Sequence, residues 1–460
     1  MSEPTLPTPP PDSLDAGERL HRLRRLGVRR GRAGLATAAG HASEGSPAPD
    51  GLSTSPEPST PATDLAQRIG AQEVFTPYGP CLVAESRYPL SEPRGGVALG
   101  AVLAQSGAAV AACARNQALA GFDFRHAAFI DTETTGLAGG AGTFAFMVGI
   151  GTFEAGDSPD KAGGLAYVVR QVFMRHPGEE HALLYAAASI LAACSGLVSF
   201  NGRAFDAPLL TTRFIMHHEP RHLDDMLHLD LLPPSRQRWR QRLDSCALGV
   251  LEREVLAFQR SQEDVPGWLI PSIYQEFARS GASADMEGVF YHNREDIVSM
   301  VPLAAVLCAP FEEHGQAAGR HELHPVEAAG LGRCFEELGW LEVSERVYRA
   351  ALAQGLPAEV RSQTLHRLGW LLKRQERRGE AVAIWEEWIT SVPGPDPTPY
   401  EELAKHHEWH EVDLAAARKW TLWGLHTAQL MPPGPRREQS LQDLRHRLER
   451  LERKLSGLDD

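Results

Sequence analysis

An apolar run that ends in two acids does most to limit what this chain can fold into: Ala127-Ala128-Phe129-Ile130-Asp131-Thr132-Glu133-Thr134-Thr135-Gly136-Leu137. The lead-in His126–Asp131 reads as a short buried strand. Side chains two apart on a strand leave the same face, so Asp131 and Glu133 present their carboxylates together. Paired hard oxygen donors suit Mg²⁺ or Mn²⁺ and not zinc. An edge strand with two solvated acids would carry the same acids without the apolar lead-in.

The glycine-rich run from Gly136 to Gly142 is followed by another strand. A dinucleotide loop must open a helix instead, so the run reads as a turn. Further strands are expected over Thr143–Phe153, Leu165–Met174, Leu197–Phe200 and Leu227–Leu232, with helices over Glu180–Ala193 and Ala207–His217. Helical segments follow to about Cys308. Three strands in a meander, then strand and helix alternating, make an α/β pattern.

Two more segments carry acids in telling places. In Phe200-Asn201-Gly202-Arg203-Ala204-Phe205-Asp206-Ala207-Pro208 a strand ends, Asn-Gly turns the chain, and Asp206 arrives just before a helix. A plain N-cap would look the same. In Tyr291-His292-Asn293-Arg294-Glu295-Asp296-Ile297, His292 and Asp296 are four apart and share a helix face. A surface His/Asp pair would do so too.

Taken together, these three segments resemble the three motifs of the DEDD exonuclease superfamily. They are most similar to a bacterial family of RNase H-like exonucleases related to the proofreading domain of family B DNA polymerases. The resemblance covers about residues 70 to 308. It implies an RNase H-like mixed sheet with flanking helices and cleavage of phosphodiesters with two divalent cations, Mg²⁺ or Mn²⁺. It assigns Asp131, Glu133, Asp206 and Asp296 to the metals. Thr134, Gly136 and Leu137 would touch the terminal nucleotide, and Asn201 and Phe205 would line the cleft.

Electrostatics supports the grouping. At 4 Å and an effective dielectric of about 20, each like-charged pair costs on the order of 4 kcal/mol. Four clustered carboxylates therefore need raised pKa values or bound cations.

The general base departs from the relatives. One subclass has Tyr four residues before the last Asp, another His five before it; here His292 and Tyr291 stand exchanged. On a helix the residue four back points within about 40° of the Asp, the residue five back about 140° away. His292 is therefore the expected catalytic base, and Tyr291 would pack or stack among the substrate contacts.

Asp230, at the end of a strand, reads as structural or as reaching the cleft. Arg236, Arg238, Arg240 and Arg242 around Trp239 suggest either a phosphate grip with a stacking ring or a basic helix face over a buried Trp.

From about His321 the chain is helical and repetitive. Leu331-Gly332, Leu368-Gly369 and Leu403-Ala404 are spaced by 37 and then 35 residues, with Tyr348, Trp385 and Trp420 following at a constant offset. This resembles the tetratricopeptide repeat, and the resemblance implies a platform for a protein partner. Residues 1–65 are rich in Pro, Ser and Thr, hold an arginine cluster (Arg19 to Arg32), and read as a disordered arm.

The expected organisation is thus an arm (1–65), an RNase H-like exonuclease domain (66–312) and an all-α repeat domain (321–460), the last separable from catalysis. A net charge of −13 argues against indiscriminate coating of nucleic acid but leaves a nuclease open. No apolar run is long enough for a membrane span, and six scattered cysteines without a CxxC pair point to a reducing cytoplasm. The expected activity is 3′→5′ exonucleolytic hydrolysis of nucleic acid, with single-stranded DNA favoured over RNA. The rivals are a structure-specific endonuclease with the same metals and a nucleic-acid-binding scaffold without catalysis.

Overall fold

The computed structural model describes residues 61–136, 142–155, 164–219, 223–281, 283–315 and 323–457. The arginine cluster of residues 19–32 and Leu137 therefore lie outside the described residues. The boundary expected at residue 65 falls within a helix, α1 (Pro61–Ile69), whose Leu65 is fully buried.

An N-terminal hairpin follows, β1 (Gln72–Thr76) and β2 (Gly79–Pro89), then a minimal hairpin of β3 (Pro93–Arg94) and β4 (Val97–Ala98), and helix α2 (Gly107–Ala114). The strand expected at His126–Asp131 is β5 (Ala127–Thr134), which continues through both acids. It is followed by β6 (Ala145–Ala155), β7 (Leu165–Phe173), α3 (Glu180–Leu191), β8 (Gly196–Ser199), α4 (Asp206–Met216) and β9 (Leu227–Asp230). The meander β5-β6-β7 is antiparallel, whereas β8 joins β5 and β9 joins β8 in parallel. The sheet order is β1-β2-β7-β6-β5-β8-β9. It is the expected mixed sheet with flanking helices. No strand was expected before residue 126: β1 is almost wholly exposed and shows no apolar alternation, and the apolar run Cys81–Ala84 of β2 was missed.

The apolar strands are continuous because both faces of the sheet are covered. Along β5, Ala127 and Phe129 enter one core while Ala128 and Ile130 enter the other. The first core is closed by α2, α5 (Leu232–Trp239), α6 (Leu248–Glu254) and most of α8 (Met286–Cys308). The second is closed by α1, α3, α4, α7 (Ile270–Ser280) and the first turns of α8. Helix α8 thus passes from one core to the other between Phe290 and Ile297. It is long and apolar enough to span a membrane by composition, but 72% of that apolar stretch is buried within the fold, as befits a core helix.

Beyond it lie α9 (Pro325–Glu337), α10 (Leu341–Gln354), α11 (Ala358–Arg374), α12 (Arg378–Ser391), α13 (Thr398–Trp409), α14 (Leu414–Gln429) and α15 (Pro435–Leu455). They pack as successive pairs, α9 with α10, α11 with α12 and α13 with α14, and α15 covers the last. The repeated glycines have a packing reason. A Cβ on Gly332 would stand 2.6 Å from the Tyr348 ring, and one on Gly369 would stand 2.5 Å from Trp385. Each small residue of a first helix seats the aromatic of the second.

The first pair is not detached from the sheet domain. Gly330 of α9 abuts the α5 backbone, where a Cβ would lie 3.0 Å from the Arg238 carbonyl oxygen. Leu331, Cys334, Phe335 and Val347 belong to the same core as Phe129 and Trp239. Of the two readings of the arginine strip, a basic helix face over a buried Trp is the one the packing supports. Trp239 is fully buried, Arg238 donates to the Val306 carbonyl at 2.7 Å, and Arg242 pairs with Glu327 of α9. Arg238 and Arg242 are engaged in docking, Arg236 and Arg240 stay exposed, and the Trp is not available for stacking.

The shared core predicts that a chain ending at Glu312 is destabilised. A chain ending there loses several buried side chains worth roughly 1.5–3 kcal/mol each, against a total stability of about 5–15 kcal/mol. Thermal unfolding followed by circular dichroism is expected to lose cooperativity in that chain and to retain it in one ending at Gly355. Cooperative unfolding of the shorter chain at the full-length temperature would refute the shared core.

Candidate active site

Strand β5 delivers the first two acids. Asp131 pairs in register with Gly149 of β6, and the ladder slips between Glu133 and Thr134, a bulge that ends regular pairing at the second acid. Gly149 is required here. A Cβ would stand 2.3 Å from Asn293 Oδ1 and 2.2 Å from Ile297, so glycine lets α8 press onto the strand beside Asp131. Asn293, fully buried, then donates from Nδ2 to Asp131 Oδ2 at 2.9 Å. Its Oδ1 accepts from Gln171 Nε2 at 3.0 Å, and Gln171 also donates to the Phe290 carbonyl at 2.8 Å. Neither Asn293 nor Gln171 was anticipated. The only sequence sign was the alternating glycine of Val148-Gly149-Ile150-Gly151.

Asp206 opens α4, as the Asn-Gly turn suggested, but it is no simple N-cap. Its Oδ1 accepts from the Thr132 backbone N–H at 3.1 Å and from the Thr132 hydroxyl, which ties it to the strand between the first two acids. Asp230 takes the structural role. Its carboxylate accepts from the backbone N–H groups of Asn201 (2.8 Å), Leu232 (3.0 Å) and Arg203 (3.2 Å). This fixes the turn where Asn201 sits at φ 69°, a left-handed conformation that Asn tolerates. A Cβ on Gly202 would lie 2.9 Å from Asp206 Oδ2, so that turn closes directly over the acid.

Helix α8 begins well before the third motif, so His292 and Asp296 do share a face, with Nε2 3.6 Å from Asp296 Oδ2. His292 Nδ1 lies 2.8 Å from Asp264 Oδ1. Asp296 meets Arg260, which also pairs with Glu252 (2.7 Å) and Asp264 (2.8 Å). Arg260 and Asp264 were missed, since the segment after α6 has no periodicity to read, and Glu252 was missed as one acid of the helix itself. For Tyr291 the geometry supports packing over stacking: it is buried, and its hydroxyl accepts from the Gln262 N–H at 3.2 Å, so it anchors that segment. Phe205 is exposed beside Asp206, and the Thr134 hydroxyl donates to the Gly136 carbonyl at 2.8 Å.

The acids perturb one another. Burial, then the charges of Glu133, Asp296 and Asp206, push the Asp131 carboxyl well above its ordinary range, and His292 opposes them. Burial, with Asp296, Asp206 and Asp264, does the same to Glu133. Asp206 is raised to about 6, chiefly by burial and against the pull of the Thr132 hydrogen bonds. Among the described residues no three such side chains stand arranged to enclose an ion: Asp296 is engaged by Arg260, Asp206 by Thr132. As a donor set, four recessed carboxylates fit hard divalent cations, once Asp296 turns from Arg260.

Comparison with known proteins bears on this geometry. A family model of the RNase_H superfamily, RNase_H_2, matches residues 128–308. Those residues are an RNase H-like domain. The matched span runs from β5 to the end of α8 and contains all four acids and His292. The chain is also similar to the uncharacterized protein YprB of Bacillus subtilis (strain 168), 29% identical over 388 residues, or 82% of this chain and 87% of the relative. That alignment is about twice as long as the RNase H-like domain, so the likeness extends into the regions flanking it. The superfamily points to nucleic-acid hydrolysis, and its nucleases generally use divalent metals.

Proposed function

We propose that this protein is a two-metal-ion 3′→5′ exonuclease, with single-stranded DNA favoured over RNA. The observation that carries the reading is a cluster of acids in which Asp296 meets Arg260, while burial and neighbouring acids push Asp131 and Glu133 well above their ordinary range. Asp131 and Asp206 are held by neutral donors, Asn293 and Thr132, while each neighbouring acid makes the next harder to ionise. Such an arrangement is costly without a function for it.

Asp131, Glu133, Asp206 and Asp296 would hold Mg²⁺ or Mn²⁺, which supply charge neutralisation and polarise the scissile phosphate. His292 orients or deprotonates the attacking water. Asn293 and Gln171 hold Asp131 in place. Phe205, at 57% exposure next to Asp206, offers a ring on which a terminal base can stack. Thr134 and Gly136 would touch the terminal nucleotide and Asn201 would line the cleft. The polarity and the DNA preference follow the motif resemblance. The helix pairs are read as tetratricopeptide-like and as a surface for a protein partner.

The test uses end-labelled linear and circular DNA and RNA oligomers with Mg²⁺, Mn²⁺ or EDTA. Mononucleotides are expected from the 3′ end of linear single strands, with none in EDTA and none from circles. Cleaved circles would favour an endonuclease, and binding without hydrolysis a scaffold.

A further inference from the structure

The segment between α6 and α7 is clamped to helix α8 at three successive points. Arg260 pairs with Asp296, the Gln262 N–H donates to the Tyr291 hydroxyl at 3.2 Å, and Asp264 meets His292 at 2.8 Å. The clamp is itself rooted in the fold, since Arg260 donates at 2.8 Å and 2.7 Å to Glu252, which is 2% exposed. A carboxylate can only accept, so the hydrogen in the Asp264–His292 contact belongs to Nδ1. In neutral imidazole that leaves the lone pair on Nε2, the nitrogen facing Asp296 at 3.6 Å.

We propose that Asp264 is a positioning residue of this site: it fixes the ring orientation and the Nδ1–H form of His292, so that Nε2 faces the acid cluster. The inference deepens the exonuclease reading and rests on it. Unanchored imidazole prefers the other tautomer and can rotate about its side-chain bonds, and either change takes the proton acceptor away from the acids. Outer groups that orient a functional imidazole commonly matter 10–100-fold. Asp264 also explains why the clamp is placed where it is. Arg260 holds the Asp264 carboxylate from its other side at 2.8 Å, so the acceptor cannot swing away from the ring.

The test uses the full chain. Asp264→Ala is expected to lower kcat on an end-labelled single-stranded DNA oligomer roughly 10–100-fold, with KM within a few-fold, and Asp264→Glu to recover part of the loss. Asp264→Ala/His292→Ala should be no slower than His292→Ala alone, because Asp264 acts through the ring; a purely structural residue would add its own loss. Independently of activity, protein labelled with ¹⁵N-histidine and free of metal should show a low-field Nδ1–H proton from His292, absent in Asp264→Ala and in His292→Gln. Losses that multiply in the double variant, or a wild type that cleaves DNA without that signal, would overturn the proposal. A wild type that shows the signal but hydrolyses nothing would sink the exonuclease reading and, with it, the catalytic meaning of the contact.

Discussion

Changing Asp131 to Asn is expected to abolish measurable hydrolysis and to leave the metal-free protein more resistant to heat near neutral pH. Asn preserves the shape and can still accept the Asn293 hydrogen bond, so the fold has little to lose. What it removes is one charge from a cluster in which Asp131 and Glu133 lie well above their ordinary range and Asp206 is at about 6 instead of 3.8. A carboxyl with a raised folded-state pKa binds its proton more tightly folded than unfolded. Its stabilising contribution is therefore present below the unfolded value and is lost as pH rises through the folded one. His292, raised to about 9 from 6.5, runs the same way: its contribution is complete below 6.5 and lost through about 9. Metal-free wild type should thus become less stable from about pH 4 to 9, and Mg²⁺ or Mn²⁺ should raise its unfolding temperature more at pH 8 than at pH 5. Asp131→Asn should show a smaller metal-induced rise. Scanning calorimetry in EDTA and in Mg²⁺ at both pH values measures this. Substantial residual cleavage, or an equal metal effect in variant and wild type, would remove Asp131 from the metal set.

His292→Ala is expected to slow cleavage roughly 10²–10⁴-fold, the usual share of general acid–base catalysis, while Tyr291→Phe costs only a few-fold. Burial pulls the His292 imidazole down. The Asp264 hydrogen bond and the charges of Asp296, Asp264 and Asp131 outweigh it and raise the ring to about 9. To accept a proton it must be neutral, and bound cations oppose its positive charge. In Mg²⁺ the rate should therefore climb with pH through an apparent pKa below about 9, and that limb should vanish in His292→Ala. Tyr291→Phe removes one acceptor, for the Gln262 N–H, worth about 1 kcal/mol. It loosens the segment that carries Asp264 without touching the acids. The reverse ranking in pH–rate profiles of the two variants would move the proton-transfer role to Tyr291.

Most of the sheet was legible because a strand buried on both faces spells itself out as an apolar run, and a helix face repeats at a fixed angle. Ala127–Ile130 leading into Asp131, and His292 four residues before Asp296, are local patterns that survive any arrangement of the rest. The Gly332/Tyr348 and Gly369/Trp385 spacing likewise reported a packing contact within one helix pair. Strand β1 gave no such sign, and β2, with only the short apolar run Cys81–Ala84, gains its place by pairing with β7, far along the chain. Tertiary structure alone decided what each charge meets. Arg242 faces Glu327 and not a phosphate, Asp230 holds a turn and not a cleft, and Tyr291 holds a strand-less segment and not a base. Asp264 reached His292, and Asn293 reached Asp131, only because α8 crosses between the two cores against a glycine in β6. Periodicity is a property of neighbours in sequence. The partner of a charge is set by elements that fold together from far apart, and for that the sequence carries no local signal.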